Sequence, residues 1–251
     1  MKIIVVANQK GGIGKSTTAL TIASLLPGNV LFIDADVQGN STDTYHAQFE
    51  GVATLYDVMF EKDLDLNEAI QHTDVGDIIA SDPLLREAED KLRSMTGSEF
   101  VLADKLEELK NLDYDYVVID TAPAMNQLLV TVLYAADQLI IPVTADRYAM
   151  QGLSQLFDTI ELLQKRYRKD IKVEGFVIVR DNPRTLLSRE GREKIENIAK
   201  KRNTKVFKRA VRECNKIKEA QTSRKIITKY DPYCNASMDY KAVVKELIGG
   251  E

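Results

Sequence analysis

A glycine-rich loop near the start of the chain carries the residues with the clearest potential for chemistry. It runs from Gln9 to Thr17, directly after an apolar run and before a helical pattern. Glycines let consecutive backbone N–H groups turn toward one anion, and a helix N-terminus adds the positive end of its dipole. A lysine followed by a serine at the helix start adds a positive charge and a hydroxyl ligand for Mg²⁺. The spacing therefore predicts a loop that binds the phosphates of a nucleotide.

Individual roles within this loop follow from the chemistry of its side chains. Lys15 is expected to reach the β- and γ-phosphates, and the Ser16 hydroxyl is expected to bind Mg²⁺. The residues predicted to contact the nucleotide are Lys10, Gly11, Gly12, Ile13, Gly14, Lys15, Ser16 and Thr17. The loop departs from the usual pattern, because Gln9 stands where the first glycine is expected and Lys10 adds a second lysine. A glycine-rich turn without function is the alternative.

Two further segments place aspartates where Val- and Ile-rich runs end. Asp34 and Asp36 follow one such run, and Asp120 follows another. Open α/β sheets bind ligands outside the carboxyl ends of their strands, so these carboxylates are predicted to face the phosphate loop. Asp36 is the candidate for positioning the attacking water, and Asp34 is expected near Mg²⁺ or its waters. The predicted metal set is Ser16, Asp36 and Asp120. The aspartates of the first pair could instead only cap the strand and its turn.

Short apolar runs alternate with amphipathic patterns along the chain. Strands are predicted at Ile3–Ala7, Val30–Ile33, Val117–Ile119, Leu139–Val143 and Val173–Val179. Helices are predicted at Ser16–Leu26, Phe100–Leu112, Leu153–Tyr167, Leu186–Lys201 and Met238–Ile248. This alternation predicts an α/β fold, a doubly wound, mostly parallel sheet with helices on both faces. Residues 61–98 are predicted to be a polar, acidic connection with helix fragments. The length suits a single domain over residues 1–251.

The run from Lys10 to Thr17 resembles the deviant Walker A loop of the ParA/MinD group of P-loop ATPases. The segment from Asp34 is similar to that group's Asp-x-Asp-Pro-Gln-Gly-Asn motif, with Val37 in place of the proline. Asp120 matches the Walker B aspartate. The resemblance covers nearly the whole chain and is loose only at about residues 50–100. It implies an Mg²⁺-dependent ATPase in which Lys10 crosses a dimer interface to the partner's nucleotide. Lys10 would then act like an arginine finger and join Lys15 and Asp36 as a catalytic residue.

Charge is distributed unevenly along the chain. Between Lys165 and Lys229 there are 22 Lys and Arg against 8 Asp and Glu, a net of +14, whereas the remainder has 12 against 30, a net of −18. A basic segment on an acidic protein indicates a polyanionic partner, although solvated helix faces give the same composition. Arg184 and Lys216 stand at positions that resemble the ParA contacts to DNA. The resemblance therefore implies DNA binding without sequence preference through these two residues.

The same resemblance implies a function in DNA partition. A ParA/Soj-type ATPase would form an ATP-dependent sandwich homodimer on nonspecific DNA, and a ParB-type centromere-binding adaptor would stimulate hydrolysis and release it. The two cysteines form no disulfide framework, no apolar run reaches the ~18 residues of a spanning helix, and the first residues do not resemble a signal peptide. We therefore expect a nucleoid-associated protein of the reducing cytoplasm, without a membrane partner.

Three alternatives to partition were weighed against the sequence. A MinD-like membrane-associated positioning ATPase would end in a basic amphipathic helix, whereas residues 239–251 are mixed in charge and lack Trp and Phe. A redox ATPase like the nitrogenase iron protein needs cluster cysteines near the nucleotide, and Cys214 and Cys234 lie far along the chain from its motifs. A DNA-binding protein whose phosphate loop had lost its function would not need the nucleotide-binding residues Lys15, Ser16, Asp36 and Asp120 to be intact. The MinD-like protein remains the main alternative.

Overall fold

A seven-stranded sheet forms the centre of the protein, whose computed structural model describes residues 1–146, 152–183 and 185–249. The strands are β1 (Lys2–Val6), β2 (Val30–Ala35), β3 (Ile70–His72), β4 (Asp77–Ile79), β5 (Tyr116–Thr121), β6 (Gln138–Thr144) and β7 (Lys172–Val179). Their order is β3-β4-β2-β5-β1-β6-β7, and neighbouring strands run parallel except at the β3–β4 edge. The predicted mostly parallel α/β fold is confirmed.

Helices connect these strands and cover the sheet. They are α1 (Lys15–Leu25), α2 (Asn40–Thr44), α3 (Leu55–Phe60), α4 (Leu66–Ala69), α5 (Leu85–Ser94), α6 (Val101–Leu106), α7 (Gln127–Ala135), α8 (Leu153–Tyr167), α9 (Leu186–Lys201), α10 (Asn215–Thr222), α11 (Ile227–Tyr230) and α12 (Asn235–Leu247). A 3₁₀ turn, Glu107–Asn111, follows α6. Among the described residues, none of the helices has the length and apolar character needed to cross a bilayer.

The central strands are apolar on both faces because each face is covered. In β1, Ile3 and Val5 pack on one side, and Ile4 and Val6 pack on the other. This is the period of two expected of a strand. The first side carries α3 to α9, and the second carries α1 and α10 to α12. The α1 helix, which follows the glycine-rich loop, is therefore held between the sheet and the C-terminal helices.

The five predicted strands are all present, and most of them extend slightly beyond their predicted bounds. The helix predicted at Phe100–Leu112 is shorter, because its second half forms the 3₁₀ turn. Residues 61–98 contain more order than the sequence indicated, including α5 and the β3–β4 hairpin at the sheet edge. Antiparallel β3 contributes only three residues, which is too short for a periodic pattern to reveal.

A glycine inside α9 allows that helix to lie directly against the segment that follows β6. A Cβ atom added at Gly191 would stand 2.3 Å from the carbonyl oxygen of Ala145. Real Cβ atoms do not approach backbone oxygen so closely, so this contact requires glycine. This contact places α9, which begins at Leu186, against the residue that follows the carboxyl end of β6.

Candidate nucleotide-binding site

The loop between β1 and α1 has the backbone shape of an anion cradle. Gly12 and Gly14 adopt left-handed conformations, with φ of 69° and 92°. A Cβ added at either position would meet nothing within 4 Å, so the backbone angle, and not a lack of space, requires glycine there. Ile13 between them is buried and anchors the loop to the core. The N-terminus of α1 therefore presents its unpaired backbone N–H groups at this glycine-rich loop.

Lys15 lies inside this cradle and is only 6% exposed. Its Nζ atom donates a hydrogen bond to the carbonyl oxygen of Lys10 at 3.3 Å. Burial lowers the pKa of Lys15, and the nearby carboxylates of Asp120 and Asp36 oppose that shift. The structure thus brings together Lys15, Asp36 and Asp120, as the sequence predicts.

Asp120 is the penultimate residue of β5, and its side chain is fully buried. In the sheet register it lies next to both Asp34 of β2 and Val6 of β1. Its Oδ2 accepts a hydrogen bond from the Ser41 hydroxyl at 2.9 Å, and the Ser16 hydroxyl lies beside the same carboxyl group. Within the described chain its Oδ1 is buried without a hydrogen-bond partner. Burial, with the neighbouring Asp34 charge, raises the pKa of Asp120 to about 7. A carboxylate with an unsatisfied oxygen is a suitable site for a hydrated cation.

The two aspartates of β2 and its following loop differ in their surroundings. Both oxygens of Asp34 are engaged: Oδ2 accepts from the backbone N–H and hydroxyl of Thr42 at 2.7 and 2.8 Å, and Oδ1 accepts from the N–H of Asp36 at 3.1 Å. These bonds fix the turn into α2 and leave Asp34 a bracing role. Asp36 is 6% exposed and accepts from the N–H of Gln38 at 3.0 Å. Its position near Lys15 brings its carboxyl group to the cradle.

No group of three or more His, Cys, Asp or Glu side chains in the described parts of the chain is arranged to hold a metal ion alone. This is compatible with Mg²⁺, which usually takes one or two carboxylates, substrate phosphates and several waters. Ser16 and Asp120 supply a hydroxyl and a carboxylate side by side, and fit that type of site. The adjoining Asp36 carboxyl group is buried within reach of Lys15.

Lys10 does not point into the cradle. Its Nζ atom contacts Asp146 Oδ2 at 2.6 Å and Thr144 Oγ1 at 3.1 Å, at the carboxyl end of β6. Asn8 prepares this arrangement, since its side chain accepts from the N–H of Lys10 and donates to the carbonyl of Pro142. The Lys10 side chain remains 31% exposed. The two lysines of the loop therefore face different directions.

The chain was compared with known proteins. An AAA-domain family model matches residues 1–173. The sporulation initiation inhibitor protein Soj of Bacillus subtilis is 34% identical over 252 residues, which cover 98% of each chain. The chromosome partitioning protein ParA of Myxococcus xanthus is 31% identical over 253 residues, covering 98% of this chain and 88% of the relative. The chain belongs to the ParA/Soj family of partition ATPases. An ATP complex of McdA from Cyanothece is 26% identical, with a TM-score of 0.88 over 100% of this chain and 97% of that structure.

In this ParA/Soj-family ATPase, the C-terminal part also contacts the phosphate loop, which the sequence did not predict. Gln221 of α10 donates to the hydroxyl of Thr17 at 3.0 Å. Arg180, just after β7, donates to the carbonyl of Gly12 at 3.3 Å and forms an ion pair with Glu213 at 3.7 Å. Both donors lie more than 160 residues from their partners in sequence. No local motif could have indicated such contacts.

The basic segment of the ParA/Soj-family chain is extensively paired with acidic groups. Lys216, one predicted DNA contact, is exposed at the start of α10 and lies 2.8 Å from Glu219 of the same helix. The other, Arg184, lies outside the described residues. Further basic side chains with acidic partners are Arg192 with Asp181, Arg209 with Asp239, and Arg224 with Asp43. The net charge of +14 therefore overstates the number of freely available cations.

Proposed function

We propose that this ParA/Soj-family protein is an Mg²⁺-dependent ATPase that partitions DNA as an ATP-bound homodimer. Hydrolysis, stimulated by a ParB-type centromere-binding adaptor, would release the dimer from nonspecific DNA. The observation that carries the ATPase proposal is the buried cluster around the phosphate loop. Lys15, Ser16, Asp36 and Asp120 meet there, and Asp120 keeps one unsatisfied oxygen. The ATP complex of the McdA structure supports ATP as the nucleotide.

The proposed roles divide the chemistry among these residues. Lys15 exchanges its weak bond to a loop carbonyl for the charged oxygens of the β- and γ-phosphates. Ser16 and Asp120 would hold Mg²⁺, with Asp36 beside them, and the bound ion would supply charge neutralisation for the phosphates. Asp36 accepts a hydrogen bond from the attacking water and orients it toward the γ-phosphate. Phosphoryl transfer needs little beyond such positioning and charge stabilisation.

Lys10 is proposed to act on the nucleotide of the partner subunit. Its direction supports this role, because Nζ lies at the end of β6 and not beside Lys15. The Lys10 side chain is 31% exposed and pairs with Asp146 at the surface, so its ammonium group is accessible to a second copy of the chain. In the dimer, Lys10 would stabilise the negative charge that develops during hydrolysis.

DNA binding is assigned to the basic C-terminal third, with Lys216 and Arg184 as contacts. Each subunit's patch is expected to be weak because nonspecific affinity comes from summed phosphate contacts. Joining two patches in one dimer raises the effective concentration of the second at the DNA, so the nucleotide controls binding. We also propose that residues 1–251 act as one domain and that the protein is nucleoid-associated in the cytoplasm.

The MinD-like alternative predicts attachment to a bilayer. In the described chain, the apolar residues Tyr240, Val243 and Val244 of α12 are buried against α1 and the sheet. Their burial disfavours α12 as a membrane-binding helix. Sedimentation of the wild-type protein with ATP, against random duplex DNA and against anionic liposomes, separates the two functions. We expect pelleting with DNA and not with liposomes. Pelleting with liposomes alone would refute the partition proposal.

The dimer proposal is tested with Lys10→Ala and a nonhydrolysable ATP analogue. The variant should bind nucleotide within a few-fold of wild type, because Lys10 lies outside its own cradle, yet fail to dimerise in the analytical ultracentrifuge. Lys110→Ala is the matched control, since Lys110 is exposed far along the chain from the loop. An unchanged dimer fraction in Lys10→Ala would contradict the role of this residue across the interface.

A further inference from the structure

Helix α10 is connected to the first turn of α1 by one side-chain hydrogen bond. Gln221 Nε2 donates to Thr17 Oγ1 at 3.0 Å, although 204 residues separate them in sequence. Thr17 is 9% exposed and directly follows Ser16, at the end of α1 that forms the anion cradle. Gln221, in contrast, is exposed to solvent. The bond thus runs from the protein surface to the rim of the nucleotide site.

The direction of this bond determines what the Thr17 hydroxyl can do. A hydroxyl has one proton to donate and two lone pairs to accept with. Because Thr17 accepts from Gln221, its own proton remains available for another oxygen. The first turn of α1 also presents unpaired backbone N–H groups toward the cradle. Thr17 can therefore donate to a phosphate oxygen while Gln221 holds it, and hydrogen bonds linked in this way strengthen one another.

Two contacts relate the C-terminal end of α10 to the nucleotide site. The first is the Gln221–Thr17 bond. The second is the ion pair between Arg224, just beyond α10, and Asp43 of α2 at 3.1 Å. Helix α2 follows the Asp36 loop, and the buried bonds of Asp34 hold its first turn. The end of α10 is consequently attached both to α1, which begins at the cradle, and to α2, which follows the Asp36 loop.

The opposite end of α10 carries the proposed polyanion contact. Lys216 lies one residue into the helix, whereas Gln221 lies one residue from its end. Within α10 the fully buried residue is Ala220, next to Gln221, and Ile217, next to Lys216, packs partly buried against the same core. Gln221 adds the hydrogen bond to α1, and because α10 is one short helix, a shift at Gln221 would be passed along it to Lys216.

We propose that Gln221 is a positioning residue that couples the nucleotide site to the polyanion-binding helix α10. It orients the Thr17 hydroxyl toward the nucleotide and at the same time fixes α10 with Lys216 outward. Nucleotide and DNA then raise each other's affinity within one subunit, because such coupling is reciprocal. This inference rests on the proposed function and adds to the effect of dimerisation.

The test measures ADP affinity with and without random duplex DNA at low salt. ADP is used because the proposed dimer requires ATP, so the signal comes from single subunits. Gln221→Ala should bind ADP about two- to tenfold more weakly than wild type, the range of one net hydrogen bond. Random duplex DNA should increase the ADP affinity of the wild-type protein, by no more than the same two- to tenfold range. It should leave the ADP affinity of Gln221→Ala unchanged.

Thr228→Val provides the matched control. Thr228 forms another hydrogen bond between α1 and the C-terminal helices, to Ser24 at 2.9 Å, at the far end of α1 from the cradle. This variant should lose stability but keep both the ADP affinity and the gain from DNA. A Gln221→Ala protein that behaves in the same way would make Gln221 a simple brace and overturn the coupling.

A double-mutant cycle with Thr17→Val completes the test. If Gln221 acts through the Thr17 hydroxyl, Gln221→Ala should cause no further loss of ADP affinity in the Thr17→Val protein. Full additivity of the two losses would refute the inference, as would a wild-type protein that binds ADP without any gain from DNA. A wild-type protein that binds no nucleotide would instead refute the proposed function itself.

Discussion

The phosphate loop and the basic C-terminal third use charge in opposite ways. At the loop a few charged groups are buried, and burial shifts the pKa of both Lys15 and Asp120, with smaller contributions from identifiable neighbouring carboxyl groups. In the C-terminal third many cations are exposed, and several pair with nearby carboxylates, as Lys216 does with Glu219. Burial makes each charge specific, because an unpaired charge away from water is costly. Exposed, solvated charges contribute little individually and can replace one another. Their net charge therefore indicates the class of partner but does not identify the residues that bind it.

The largest effect is expected from removing the buried lysine. Lys15→Ala leaves the carboxyl groups of Asp120 and Asp36 without their cation and removes the main phosphate contact. ATP affinity should fall by at least about 30-fold, the lower end of the cost of truncating a buried charge pair. Isothermal titration with Mg²⁺ and ATP measures it, with Lys110→Ala as the exposed control. Near-normal ATP affinity in Lys15→Ala would contradict the role of this buried charge in phosphate binding.

Asp36→Ala should separate binding from hydrolysis. If Asp36 positions the water, ATP still binds, but kcat falls by about 10²- to 10⁴-fold, the usual contribution of a positioned base. The variant should also accumulate as the ATP-bound dimer. Steady-state ATPase rates and ATP titration are measured on the same preparation, with Asp63→Ala as a control on an exposed aspartate. Loss of ATP binding would show that Asp36 serves the metal ion or the loop structure instead.

Asp120 should make the stability of the nucleotide-free protein depend on pH. Burial raises the pKa of Asp120 to about 7, so between pH 4 and 7 the native state keeps a proton that the unfolded chain has released. Stability contributed by this group is therefore present at low pH and is lost as pH rises, by up to about 1.4 kcal/mol per pH unit. Urea unfolding without Mg²⁺ should show a flatter profile for Asp120→Asn. Parallel profiles of wild type and variant would contradict this assignment.

Single exposed cations should have the smallest effects. Lys216→Ala and Arg184→Ala should each weaken DNA binding by a few-fold for all sequences alike. Each should also lower the salt slope by about one unit per contact per subunit. Salt titrations of DNA binding with ATP, with Lys110→Ala as control, measure both quantities. If affinities and slopes equal those of wild type, the DNA contact lies elsewhere on the basic surface.

The sequence predicted the centre of the fold better than its edge. Strands β1, β2, β5, β6 and β7 were found because parallel strands covered on both faces are nearly continuous Val- and Ile-rich runs. The β3–β4 hairpin escaped because each strand has only three residues and one lies at the edge. Residue propensities and hydrophobic periodicity identify a strand only over a longer segment than three residues.

The candidate site shows the same division. The cluster of Lys15, Asp36 and Asp120 was predicted because each belongs to a motif tied to a strand end. The bracing bonds of Asp34 match only the alternative given for its pair, that of capping the strand and its turn. The contact of Gln221 with Thr17 was not predicted, since it depends on which elements pack together. Tertiary contacts between distant segments leave no local pattern of residue types. The roles of the site residues stay predictions until the variants are measured.

The approach of α9 to Ala145 has a consequence for protein engineering. Glycine inside a helix usually lowers stability by roughly 1 kcal/mol relative to alanine, so Gly191 is the first position that a stabilisation strategy would choose to replace. At this position the gain in helix propensity would be opposed by a Cβ atom 2.3 Å from a backbone oxygen. A library designed from helix propensity alone would thus select, as its most attractive substitution in α9, one that forces the helix away from the end of β6.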